Sequence, residues 1–164
     1  MLLVNARILG ISVTLKSHRR GERQGGGWYV ENPKIRVLIA DDEAHIRALL
    51  GVIISQLGGE VVALAWDGEA AVRLYEQHRP DLSLLDINMP RLTGDVVMAR
   101  IMKINPDAQV IMLTAQDSVD SVRQCIDLGA RNYILKNNPT EKIVELITNS
   151  WAECVSKIRG EAKE

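Results

Sequence analysis

The sequence predicts an α/β fold with a five-stranded parallel sheet and five helices, on three observations. Five short apolar runs, at 35–40, 60–65, 82–86, 109–113 and 132–135, alternate with segments of helical period. Glycine or proline punctuates the junctions at Gly58-Gly59, Pro80, Pro106, Gly129 and Pro139. Four of the runs stop at polar residues: Asp41-Asp42, Asp86, Thr114 and Lys136. In a parallel sheet the carboxyl ends of the strands share one edge, the edge at which open α/β sheets bind ligands.

The elements follow in order. After Asp41-Asp42-Glu43, Ile46, Leu49, Leu50, Ile53, Ile54 and Leu57 recur at spacings of three and four, one apolar stripe of a helix that Gly58-Gly59 ends. A second helix is predicted from Gly68 to His78, stopping before Pro80, and a third over 94–104, stopping before Pro106. A fourth covers 117–128 and ends at Gly129. The fifth starts after Asn138 with Pro139 in its first turn, and its stripe is Ile143, Ile147, Trp151, Cys154, Val155 and Ile158. Right-handed crossovers then place helices on both faces of the sheet.

This domain is expected to span 34–158, followed by a short tail at 159–164. Residues 1–33 do not fit the pattern. Arg19 to Gly27 is basic and then glycine-rich, as in a linker, and the stretch reads as a flexible, disordered arm closed by Pro33.

The 164 residues, 46% apolar and 25% charged, suit a soluble domain with a real core. Residues 1–33 hold five Lys/Arg against two Asp/Glu, and residues 34–164 hold fifteen against nineteen. An acidic main body argues against a nucleic-acid surface. Cys125 and Cys154 stand far apart without a metal-ligand spacing and read as small buried hydrophobes in a reducing cytosol. No run approaches the ~18–20 apolar residues of a membrane span. The apolar stretch Ile8 to Leu15 leads into Lys-Ser-His-Arg-Arg without a small-residue cleavage site, so neither export nor membrane insertion is expected.

Each polar station has a plain alternative. Acids favour a helix N-terminus, a strand-end Asp commonly opens a turn, Thr is an ordinary strand residue, and a strand-end Lys is usually just solvated. Capping explains one acid well and three less well. Adjacent carboxylates facing a third on a neighbouring strand are costly without a cation among them, and an oxygen-rich site of this kind suits Mg²⁺. The four stations together favour a site that carries a phosphoryl group.

These residues carry a resemblance. From about Lys34 to Lys157 the chain resembles the receiver domain of two-component response regulators, of the stand-alone chemotaxis type. The matching features are the acidic pair Asp41-Asp42, Asp-Ile-Asn-Met-Pro at 86–90 with Gly94 beyond it, Leu-Thr-Ala at 113–115, and Gly-Ala-Arg-Asn-Tyr-Ile-Leu-Lys at 129–136. The resemblance implies a flavodoxin-like sheet of order 2-1-3-4-5. It implies Asp86 as the acceptor of a phosphoryl group from a sensor histidine kinase or a histidine phosphotransfer protein. Asp42 and Asp86 would bind Mg²⁺ directly, Asp41 through water, with the backbone carbonyl of Asn88 as a further ligand. Lys136 and Thr114 would contact the phosphoryl oxygens, with Thr114 and Tyr133 as the switch pair. A downstream protein would read the surface of the fourth helix, fifth strand and fifth helix. The implied protein is cytoplasmic and not an enzyme beyond its own phosphorylation and dephosphorylation. The family's proline directly after the lysine is absent, since Asn137-Asn138 intervene before Pro139.

Two enzymatic or cofactor-binding alternatives fit less well. A flavodoxin-type flavin carrier needs a hydroxyl- and glycine-rich phosphate loop where this chain has Asp-Asp-Glu-Ala-His. A phosphatase of the haloacid dehalogenase type needs Asp-x-Asp after the first strand. A receiver-like interaction module acting without phosphorylation, or a receiver fragment of a larger regulator, remains the alternative.

Overall fold

In the computed structural model the chain divides into two compact units, Met1–Asn32 and Pro33–Glu164. The structure describes residues 3–8, 11–16, 34–115, 126–127 and 129–158. In the first unit Leu3–Ile8 (β1) and Ile11–Lys16 (β2) pair antiparallel, with Ile8 opposite Ile11. The sequence reading assigns this stretch no element. Val4 to Ile8 and Ile11 to Lys16 each alternate apolar and polar residues, the period of a strand, so the signal for this hairpin was present in the sequence.

In the second unit the apolar runs become Arg36–Ala40 (β3), Glu60–Ala65 (β4), Leu82–Asp86 (β5), Val110–Thr114 (β6) and Asn132–Leu135 (β7). All pairs are parallel and the order is β4-β3-β5-β6-β7, the second-first-third-fourth-fifth order of a flavodoxin-like sheet. Central strands β5 and β6 are buried at every position, as a parallel sheet covered on both faces requires.

Alternate residues of each strand feed two cores. Val37, Ile39, Leu82, Leu84, Ile111 and Leu113 pack with helix Ala44–Gln56 (α1) and with Thr140–Ile158, here α4. Leu38, Ala40, Leu85, Val110 and Met112 pack with Gly68–His78 (α2) and Gly94–Ile104 (α3). The α1 stripe is buried as predicted: Leu50, Ile53 and Ile54 fully, with Ile46, Leu49 and Leu57 packed beside them. Gly58 sits at φ 80, the left-handed conformation that closes a helix most cheaply in glycine, and the Gly59 N–H returns to the Ile54 carbonyl at 2.9 Å. In α4, Ile143, Ile147 and Cys154 are buried on the same core, with Trp151 and Val155 against them.

Among the described residues there are four helices, and none is long and apolar enough to cross a membrane. The predicted helix over 117–128 lies outside the described residues except for Ile126 and Asp127, which are helical. Cys125 also lies outside them.

Candidate functional site

The strand ends bring the predicted residues to one edge. Asp41 follows β3 directly and is completely buried, held there because its N–H donates to the Ala65 carbonyl of β4 at 3.1 Å. Its side chain turns back on the chain, Oδ1 accepting the Glu43 N–H at 2.8 Å. The Arg47 guanidinium, one turn into α1, donates to the Asp41 and Asp42 carbonyls at 2.7 and 3.0 Å and closes the loop. The acidic trio therefore stands ahead of the helix rather than in its first turn, which holds no acid, and Glu43 at the N-cap makes no side-chain capping bond. Capping does not account for these acids.

Asp86 ends the central strand β5 and is also buried, while Asp42 is exposed. Asp41, Asp42 and Asp86 each offer a carboxylate oxygen, and the three lie within 4.8 Å of one another. Lys136, one residue past β7, reaches the same point. Its Nζ lies 2.9 Å from Asp41 Oδ2, 3.0 Å from Asp86 Oδ2 and 3.0 Å from Glu43 Oε1. Its backbone is set by a 2.8 Å bond from its N–H to the Thr114 carbonyl, so β6 places β7's last side chain. The described backbone contains no cis peptide bond, and the Lys136–Asn137 bond is trans.

Electrostatically the cluster is incomplete. Burial pushes the Asp86 carboxyl above its ordinary pKa, the Lys136 ammonium opposes that, and the Asp41 charge adds to it. Burial works against the Lys136 charge, but its contacts with Asp41, Glu43 and Asp86 outweigh burial and lift its pKa above the usual lysine value. Glu43 is held below its ordinary range by Lys136. Asp41 Oδ2 and both Asp86 oxygens lack a well-directed hydrogen bond among the described residues, and Lys136 serves as counter-charge rather than full partner. The Asn88 backbone N–H helps Asp86 only slightly. Buried acceptors left short in this way are costly unless a further ligand completes them.

The loop after β5 is rigid by construction. Met89 is buried in the α2–α3 core, and the Pro90 carbonyl accepts the Gly68 N–H at 3.1 Å and the Leu92 N–H at 2.8 Å. A Cβ at Gly94 would run into the Asp86 carbonyl, so only glycine lets α3 begin against the end of β5. Asn88 is exposed beside Asp86. Thr114 is the buried last residue of β6. Tyr133 is half-buried on the α2–α3 face opposite Met112, and alternation puts Thr114 on that same face. The sequence points to Asp41, Asp42, Asp86, Asn88, Thr114, Tyr133 and Lys136, and gives Glu43 no part beyond capping. The signal available was its position two residues after Asp41, within reach of whatever Asp41 binds.

A family model described as the response regulator receiver domain matches residues 37–148. The chain belongs to that family. This receiver is 38% identical over 112 residues to the chemotaxis protein CheY of Thermotoga maritima, which covers 68% of this chain and 93% of that one. It is 36% identical over 115 residues to CheY of Bacillus subtilis, covering 70% and 96%. Among solved structures it resembles a chain of the CheX–CheY–beryllofluoride–magnesium complex from Borrelia burgdorferi. That match has a TM-score of 0.68 and 31% identity, covering 71% of this receiver and 89% of that chain.

Proposed function

We propose that this receiver accepts a phosphoryl group on Asp86 from a phosphohistidine of a sensor histidine kinase or phosphotransfer protein, and thereby switches a protein-binding surface. The observation that carries the reading is the Asp86 carboxylate, buried at the end of the central strand and short of hydrogen bonds, facing an ammonium and two further acids. An Asp86 oxygen attacks phosphorus; the phosphorus–nitrogen bond breaks and its electron pair leaves with the imidazole, which takes a proton. Phosphoryl transfer of this kind rests on positioning and charge stabilisation. Lys136 supplies one positive charge to the transferred oxygens, and Thr114, at the adjacent strand end, supplies a hydroxyl donor.

The donor set fits Mg²⁺. Three carboxylate oxygens converge, one of them exposed to water, and the buried ones lack partners that a cation supplies. Asp42 and Asp86 would hold it directly, with Asp41 through water and the Asn88 carbonyl beside them. When bound, it neutralises charge on the transferred group. The chain's own chemistry stops there: self-phosphorylation and self-dephosphorylation, with no separate substrate turned over. The switch runs through Thr114 and Tyr133 to the surface around β7 and α4, read by a downstream protein in the cytoplasm.

The test is incubation with acetyl phosphate and Mg²⁺. The wild type should gain a base-labile phosphoryl adduct and Asp86→Asn should gain none. Full labelling of the Asn variant would remove Asp86 from the role. A wild type that does not label would favour an interaction module acting without phosphorylation.

A further inference from the structure

Three carboxylates crowd the Lys136 ammonium at 2.9–3.0 Å, those of Asp41, Glu43 and Asp86. A phosphoryl group on Asp86, adding roughly −1.5 to −2 charge, needs that ammonium. One partner must let go. Asp86 is the acceptor itself. Asp41 is fully buried and pinned by the Glu43 N–H on its other oxygen. Glu43 is different in every respect. Its side chain is 45% exposed, it makes no capping bond to α1, and its second oxygen lies 3.6 Å from His45 Nε2 on the solvent side. Its contact with Lys136 is also the one of the three with hydrogen-bond geometry.

We propose that Glu43 is a positioning residue that holds the Lys136 ammonium until a phosphoryl group displaces it, and so sets how readily Asp86 is phosphorylated. The inference rests on Asp86 being the phosphoacceptor. Before transfer, Glu43 occupies the donor that the phosphoryl oxygen needs. Afterwards its negative charge and that of the phosphoryl group repel across the same ammonium. Glu43 then swings toward His45 and water, a movement its exposure permits and that neither aspartate can make.

Two variants separate contact from charge. Glu43→Gln keeps the length and loses the charge; Glu43→Asp keeps the charge but is one methylene too short to reach Lys136. Both should bind beryllofluoride with Mg²⁺ more tightly by calorimetry, and label faster with acetyl phosphate. The expected change is about two- to fivefold, the weight of a half-exposed ion pair. In both, Lys136 ammonium protons should exchange faster by ¹⁵N NMR, a readout independent of phosphorylation. An Asp variant that behaves like the wild type overturns the proposal, because charge near the site then suffices without contact. Unchanged values in both variants, with a wild type that labels at Asp86, overturn it alone. A wild type that neither labels nor binds beryllofluoride overturns the phosphoacceptor reading with it.

Discussion

Asp67 and Asp86 are both nearly fully buried, one two residues beyond β4 and the other at the end of β5. Asp67 is completely served. Its Oδ1 accepts the Ala70 N–H at 2.8 Å as the N-cap of α2, and its Oδ2 pairs with the Arg91 guanidinium at 2.7 Å. Asp86 shares a single ammonium with two other acids and closes no well-directed hydrogen bond among the described residues. Burial alone therefore does not separate an anchor from a site; the difference is how many lone pairs are engaged. Arg91 even adopts φ 67, an uncommon conformation for a side-chain-bearing residue, in the turn where it meets Asp67. At Asp67 both carboxylate oxygens are engaged, whereas at Asp86 neither closes a well-directed hydrogen bond among the described residues.

Removing Lys136 should expose that difference most. Lys136→Met leaves Asp41 and Asp86 buried without a counter-charge, and breaking a buried pair typically costs about 3–5 kcal/mol. Urea unfolding in EDTA should show a loss of about 3 kcal/mol, partly regained on adding Mg²⁺. Loss without any regain by Mg²⁺ would remove the cation from the comparison.

The anchor should fail differently. Asp67→Ala removes a helix cap and the partner of Arg91, for about 2 kcal/mol of stability. Arg91 is more than half exposed, so its own loss of a partner adds little. Labelling by acetyl phosphate should stay close to wild type. A parallel collapse of labelling would make Asp67 part of the site and erase the contrast.

A smaller effect has a definite sign. Because burial raises the Asp86 pKa, the folded state binds its proton more tightly than the unfolded chain does, and stability falls as pH rises above the unfolded value of about 3.9. Below that value both states are protonated and the penalty vanishes. Asp86→Asn, measured in EDTA, should thus gain about 1 kcal/mol over wild type at neutral pH, the scale of one unsatisfied buried acceptor. That advantage should disappear near pH 4 and below. Glu43 runs the other way, since Lys136 lowers its pKa and its contribution is lost as pH falls below its ordinary value. An Asn advantage that grows on acidification would reverse the electrostatic account.

Least of all should follow from deleting residues 1–32, a separate unit. Midpoint and labelling should both be unchanged. A clear drop in the midpoint would tie the hairpin to the domain.

Periodicity carried most of the fold. Strand β4 and helices α2 and α3 stand where the alternation of apolar runs and breakers put them, because those patterns are local and the burial of each face selects them. The strand-end residues Asp41, Asp86, Thr114 and Lys136 were legible for the same reason: each interrupts an apolar run at its carboxyl end. What the sequence could not decide was partnership. Glu43 and Lys136 are 93 residues apart, and their contact follows from β3, β5, β6 and β7 lying side by side. Asp41 and Asp42 are chemically identical neighbours, yet the bond from the Asp41 N–H to β4 buries one and leaves the other in water. Sequence determined which residues reach the edge of the sheet. Only the tertiary structure decided which of them share the ammonium, since a salt bridge depends on distance and burial in three dimensions and neither is written in local period.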